Sequence, residues 1–474
     1  MKNKRNQRDG FQASPLEHRS YAAYFFGENF LWAFAGMLPT FITDIGLGAG
    51  IVATILLVPK IWDAVNDTIF GIVVDKVKLK SGQKFLPWMK IGTFSLGLTT
   101  ILLFAIPSGI SDGMKIAWVI ISYILFDASY TMLDAPLFAL PSAMTTNIQE
   151  RTQILSNGRL FAMVGGMCAG LLIPVVRPKL GWLTTAIIIV VVSISAMIPL
   201  MLKGKERQTV ADRNEPSISF KEMGIYLKTN NQLLIILLVM FIIGVTGVGA
   251  VLSIYVARIC FGSESIASLL VIISALPALL VAALVPKLTE KFDKFDLFVV
   301  GLICSVVGGV LMFLTGFENI PLVICLTVLE SVGYAAYNVI AYMFIADTVE
   351  YGTYKTGTRA SGISFALQTF TAKLRAALVT SLSLFALGAI GFISGENVVQ
   401  PAGVAQGIWG IYTLLPALGS LIAILILIFF YKLRDNTVQV MAKYNMGEVT
   451  KEEAESALAE KFGQAAEVAA HNKD

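Results

Sequence analysis

Stretches of about 20 apolar residues recur along this chain, each long enough at about 1.5 Å per residue to cross a hydrocarbon layer of about 30 Å as a helix. They predict about twelve transmembrane spans, at 21–45, 49–74, 88–107, 116–141, 158–178, 181–202, 232–258, 265–286, 296–316, 320–346, 361–394 and 406–432. The stretch at 361–394 exceeds what a span needs and is expected to tilt or break near Gly388 and Gly391. Of the 474 residues 56% are hydrophobic and 14% charged, more apolar surface than a water-soluble fold can bury. The expected fold is an all-α membrane protein. The first twenty residues are polar and basic, so no cleavable signal peptide is expected there.

Basic residues crowd every second connection. They fill the N-terminus (Lys2, Lys4, Arg5, Arg8, Arg19), the loop with Lys76, Lys78, Lys80 and Lys84, and the central loop from Lys203 to Lys228. The intervening connections hold Lys115, Arg177, Lys179 and Arg258. The positive-inside rule then places both termini in the cytoplasm of a multi-pass protein of the inner or plasma membrane. The net charge of +4 is topological, and no nucleic-acid partner is expected.

A polar stretch at 203–231 separates six spans from six. The expected organisation is an N-terminal half at 1–202, a cytoplasmic central loop at 203–231, a C-terminal half at 232–432 and a cytoplasmic tail at 433–474. Each half carries a basic turn after its second helix, from Gly71 and from Val285, as a duplicated transporter would. The tail sequence TKEEAESALAEKFG, starting at Thr450, reads as an amphipathic helix on a solvated segment. The four cysteines (Cys168, Cys260, Cys304, Cys325) form no CxxC pair and read as small core hydrophobes, while His18 and His471 lie outside every span. No Ser-His, Cys-His or HExxH arrangement is present, so the chain is not expected to be an enzyme, and no cofactor is expected.

Ionisable residues inside spans are costly and tend to face a cavity or a partner. The second span, KIWDAVNDTIFG, places Asp63 and Asp67 four residues apart on one helix face beside Asn66, with Lys60 a turn earlier. Two carboxylates about 6 Å apart in a low dielectric require a proton, a cation or a basic side chain between them. These hard oxygen ligands suit Na⁺ or H⁺; pairing with Lys60 near the membrane surface is the other reading. The fourth span, FDASYTMLDAPLFALP, sets Asp127, Tyr130, Thr131 and Asp134 on one face, with Pro136 and Pro141 weakening the helix beyond. Arg159 opens the fifth span. A carboxylate and a guanidinium facing one cavity suit the vicinal hydroxyls of a sugar, and Tyr130 and Phe138 would offer flat faces to its apolar side. The competing reading is an Asp134–Arg159 ion pair that only locks two helices. Lys373 sits at membrane depth in ALQTFTAKLRAAL and needs a counter-charge, for which the surplus acids of the second span are candidates.

With these motifs the chain resembles the glycoside-pentoside-hexuronide:cation symporters of the major facilitator superfamily, in their melibiose permease-like form. The resemblance rests on WDAVNDTIFG, YTMLDAPLFALP, Arg151 and Arg159 after it, ADTVEYGTYKTGTR from Ala346, and QTFTAKL, in this order. It implies a major facilitator fold of two six-helix halves and symport of a sugar or glycoside with Na⁺ or H⁺. Asp63, Asn66, Asp67 and Thr131 would form the cation site, with a possible Na⁺ there, and Lys373 as a charged neighbour. Asp134 and Arg159 would bind the sugar, with Tyr130 lining the pocket and Thr369 close to Lys373. Arg151, Asp347, Glu350 and Arg359 would belong to cytoplasmic charge networks that hold and release one conformation. The chain departs from the pattern at Asn29, where a second sugar-binding aspartate is expected next to Glu28, at Phe138 and Asn338 in place of tryptophans, and at Thr68 and Arg375. A cation-coupled lipid or lysolipid transporter of the same superfamily is the alternative; the polar set Asn29, Asp134 and Arg159 argues for hydroxyl-bearing substrates.

Overall fold

The computed structural model describes residues 11–57, 62, 83–207, 224, 226, 228–357, 360–396 and 398–459. These are helical throughout their length apart from turns and connections, with no strand among the described residues. In order the helices are α1 (Pro15–Ala35), α2 (Leu38–Asp44), α3 (Leu86–Phe104), α4 (Asp112–Met144), α5 (Ile148–Lys203), α6 (Asn231–Thr246), α7 (Gly249–Phe261), α8 (Ser265–Leu288), α9 (Lys294–Thr315), α10 (Ile320–Thr356), α11 (Ser361–Ala389), α12 (Val404–Phe430) and α13 (Asp435–Asn445). The expected spans map onto these in order, apart from 58–74, most of which lies outside the described residues together with Lys60, Asp63, Asn66, Asp67, Thr68, Arg359, His471 and most of the central loop. Among the described residues eight helices are long and apolar enough to cross a bilayer. The protein is an integral membrane protein.

Two places show how the sequence sets boundaries. The 56 residues of α5 are two helices joined at Gly181, whose φ of 75° is open to glycine at little cost and to other residues only under strain. The long stretch at 361–394 resolves as expected near its glycines: α11 stops at Ala389, and Gly391 follows with φ 80°. One expectation is corrected. Pro136 and Pro141 do not weaken the fourth span, since α4 runs unbroken through both to Met144. Both prolines are buried in packing that holds the helix through the loss of one backbone hydrogen bond each.

The chain divides into two compact units. The first comprises Met1–Arg213 with Val251–Ile272 and Thr380–Ile408. Its centre is the packing of α1 on α5, made close by glycines. A Cβ at Gly27 would lie 2.5 Å from the Ser193 carbonyl oxygen, one at Gly165 2.4 Å from that of Phe26, and one at Gly158 2.7 Å from the Phe25 ring. Small residues let helix backbones approach in this way where lipid offers no hydrophobic drive. The α1 start is fixed by a capping box between Ser14 and Glu17, and Glu17 also takes Nη1 and Nη2 of Arg207 at 2.9 and 2.7 Å. Burial would raise the Glu17 carboxyl, but the bonds from Arg207 and Ser14 outweigh it and hold the group below the ordinary carboxylate range.

The second unit comprises Asn214–Ala250, Ile273–Val379 and Trp409–Asp474. Its core joins α6, α9, α10 and α12 through Met240, Phe298, Tyr337, Phe344 and Leu427. The described part of the tail, to residue 459, lays one face on this unit. Lys294 joins Asp435 of α13 at 3.1 Å, Tyr354 and Tyr444 pack edge to face, and the helical turns at 451–459, capped by Thr450 and Glu453, bury Ala454 and Leu458. Two apolar residues four apart gave this helix a face worth covering, and the protein covers it with its own core.

Candidate functional site

The glycine-lined approach of α5 to α1 decides where Arg159 lies. Gly158 fits against the Tyr21 and Phe25 rings, so the next residue stands beside α1 and α4. There the Arg159 guanidinium lies over the Phe138 ring at 4.5 Å, and Phe138 meets Phe25 edge to face at 5.3 Å. One turn along α1, Glu28 is buried to 1% exposure with Asp134, Tyr130 and Arg159 as its electrostatic partners. Tyr130 and Asp134, four apart on α4, present the same face to it.

These residues thus form one polar cluster: two carboxylates, one guanidinium and a phenol, walled by Phe25 and Phe138. Two acids with one guanidinium leave one formal negative charge, which a proton, a cation or donating hydroxyls would balance. Such a cluster has the acceptors that vicinal hydroxyls would need and the planar donors of Arg159. Tyr21 and Tyr24 fix the surrounding frame, donating to the Leu137 carbonyl at 2.9 Å and sharing a 2.7 Å hydrogen bond with Thr93.

Of the other expected residues, Asn29 is half-buried and donates its amide to the Phe25 carbonyl at 3.1 Å. Thr131 is buried and donates to the Asp127 carbonyl of its own helix at 3.1 Å. Asp63, Asn66 and Asp67 lie outside the described residues, as does Arg359. Lys373 stands in α11 within the second unit, where Thr369 donates to the Phe365 carbonyl. Arg375 lies over the Tyr337 ring at 5.4 Å and packs against Gly244, a contact that gives the unexpected arginine a place within its own unit. Arg151 donates from Nε to the Thr145 carbonyl at 2.8 Å and so ties the end of α4 to the start of α5. Asp347 is held by Lys294 at 2.7 Å, and Glu350 accepts from Asn445 at 2.9 Å.

Sequence reasoning missed two features. The first is the place of Glu28 in this cluster, since the sequence suggests it only as the neighbour of Asn29 and a possible partner of Arg375; an acid inside an apolar span was the available signal. The second is a buried ion cluster in the first unit. Asp44 pairs with both Arg177 and Arg258, the latter at 2.6 Å; Arg177 reaches Glu264 at 2.9 Å and Glu396 at 3.2 Å; Arg258 also pairs with Glu264. Trp182 donates to Asp44 at 3.0 Å, and Arg177 lies over the Trp182 ring at 4.5 Å. Counted in the sequence only as loop charges, the two arginines are structural. A cavity of about 550 Å³ opens beside them, walled also by Tyr255, Phe392 and Gln400.

A family profile described as MFS/sugar transport protein matches residues 25–435. The uncharacterized symporter YnaJ of Bacillus subtilis (strain 168) is 28% identical over 442 residues, covering 91% of this chain and 94% of that one. The glucuronide carrier protein homolog of Escherichia coli (strain K12) is 27% identical, covering 89% and 93%. The isoprimeverose transporter of Lactiplantibacillus pentosus is 26% identical, covering 82% and 83%. Among solved structures, the nucleoside transporter NupG matches with a TM-score of 0.62 at 11% identity, over 88% of this chain and 100% of that one. A D-xylose-proton symporter matches with a TM-score of 0.57 at 14% identity, over 86% and 96%. Both share the fold.

Proposed function

Since the chain belongs to the MFS/sugar transport protein family, among the glycoside-pentoside-hexuronide:cation symporters of the major facilitator superfamily, we propose that it carries a sugar or glycoside across the cell membrane together with Na⁺ or H⁺. The observation that carries this reading is the cluster of Tyr130, Asp134 and Arg159 around the buried Glu28, polar groups placed where an apolar helix bundle tolerates them only for a purpose. Relatives named for glucuronides and isoprimeverose support a carbohydrate substrate.

In this reading Asp134 and Arg159 bind hydroxyls, while Tyr130, Asn29 and Phe138 line the pocket and Lys373 serves it from α11. Asp63, Asn66, Asp67 and Thr131 hold the coupling ion, whose charge offsets carboxylate repulsion and orders the adjoining sugar site. Ion and sugar then strengthen each other's binding by the same factor, typically about 1 to 3 kcal/mol. Two six-helix halves alternate access to this site, with Arg151, Asp347, Glu350 and Arg359 holding one conformation, and both termini face the cytoplasm.

The test is uptake by proteoliposomes of a labelled panel of methyl α- and β-pyranosides in gluco, galacto, xylo and glucurono configuration, under imposed Na⁺ or H⁺ gradients. Accumulation of one or more driven by one gradient is expected. Uptake that ignores both gradients would sink the symport reading, and no uptake of any glycoside would sink the sugar reading.

A further inference from the structure

We propose that the cavity beside the buried ion cluster is a second carbohydrate site, an outer station that takes neutral pyranosides. The proposal rests on the sugar-transport reading for its class of ligand and concerns a different place in the molecule. Arg177, on the cavity wall, stands eighteen residues after Arg159 in the same helical segment of α5, the one that ends at Gly181. At about 1.5 Å per residue the two are about 27 Å apart, so the cavity is separate from the Glu28 cluster. Its walls belong to the first unit: α5 at Arg177, the end of α7 with the turn to Glu264, and residues between Phe392 and Ala405. Its volume of about 550 Å³ lies within the range of about 300 to 1,000 Å³ usual for small-molecule sites.

The chemistry of the walls selects the ligand. Among the described residues, Nε of Arg177 and Oε2 of Glu264 have no hydrogen-bond partner, although the two side chains are buried to 3% and 9% exposure. The other oxygen of Glu264 takes both Arg177 and Arg258. One donor and one acceptor are thus left over on paired residues at the wall of one cavity, which costs stability until a ligand answers both. A cation would meet the Arg177 guanidinium at the leftover donor. An anion would meet a cluster in which three carboxylates (Asp44, Glu264, Glu396) face two guanidiniums (Arg177, Arg258). A hydroxyl both donates and accepts and carries no charge. Vicinal hydroxyls of a pyranoside answer donor and acceptor together, and Ile259 and Phe392 give the C–H side of its ring an apolar wall.

Photolabelling of the purified full-length protein tests it, with diazirine-bearing methyl pyranosides in gluco, galacto and xylo configuration and the adducts mapped by mass spectrometry. For at least one probe, adducts are expected within 255–264 or 392–405, displaced by the unlabelled glycoside at about ten-fold lower concentration than by methyl glucopyranosiduronate. Ser263→Trp, which sets an indole at an exposed position on the cavity wall, should cut these adducts about ten-fold and leave labelling of α1 and α4 unchanged. Asp134→Ala should do the reverse. Displaceable adducts at these residues from none of the probes, the result if the cavity takes water alone, overturn the proposal. So does displacement by the uronate at equal or lower concentration, and so does a folded Ser263→Trp protein that labels as the wild type does. If Ser263→Trp does not fold, the wild-type map and its order of displacement still decide. Failure of the sugar-transport reading looks different, since the cavity adducts would then remain while no panel glycoside is taken up.

Discussion

Asp134 is the residue whose chemistry is most exposed to test. It shares a site with a second buried acid and a single guanidinium, so substitution by alanine removes an acceptor while leaving Glu28 to pair with Arg159. Hydrogen bonds to charged groups contribute about 1.5 to 3 kcal/mol. Asp134→Ala is therefore expected to weaken sugar binding by roughly ten- to a hundred-fold with the fold intact, measured by calorimetry on the purified variant; unchanged affinity would remove Asp134 from the site. At this scale the sequence was informative where a charge sat in an apolar span. Asp134 and Arg159 stood out by cost alone. Glu28 did not, because a span's first acid reads as interfacial, and only its burial to 1% exposure beside Asp134 and Tyr130 sets it in the cluster.

Helices were legible as elements because the bilayer fixes their length, and their contacts were not. Nothing in the sequence distinguishes Gly165 from Gly166, yet a Cβ at Gly165 would lie 2.4 Å from the Phe26 carbonyl oxygen while one at Gly166 meets nothing within 4 Å. Gly165→Ala should force α1 from α5 and lower stability by about 1 to 3 kcal/mol. Gly166→Ala should be neutral or stabilising by up to about 1 kcal/mol from helix propensity. Thermal unfolding of the two variants in detergent checks both, and equal melting temperatures would contradict the close α1–α5 contact. Pro136 and Pro141 show the converse error: a local rule about proline yields to the packing around a long buried helix.

On the scale of the whole chain, the ion cluster joins positions from Asp44 to Glu396, and Arg258 meets an acid 214 residues away. Separations of that size leave no trace in spacing, which is why Arg177 and Arg258 read only as loop charges. Side-chain exposures of 3% for Arg177 and 4% for Asp44 place the pair away from water, where removing one partner of a buried pair costs about 3 to 5 kcal/mol. Asp44→Asn and Arg258→Gln are each expected to lower the melting temperature, and the double variant by less than the two together, with a coupling of about 0.5 to 3 kcal/mol. Strict additivity would mean that the two do not interact.

The length of α10 has a consequence for where the water begins. Its 37 residues reach about 55 Å, against a hydrocarbon layer of about 30 Å, so roughly 25 Å of this one rod stands outside the oil. The protruding end carries Glu350, Tyr351, Tyr354 and Lys355 and is the part grasped by α13. The helix thus works as a depth gauge fixed to the protein. A nitroxide attached at Thr353 would be reached by a water-soluble relaxation agent, and one at Val328 by oxygen dissolved in lipid, so the two together mark the height of the membrane surface on the molecule.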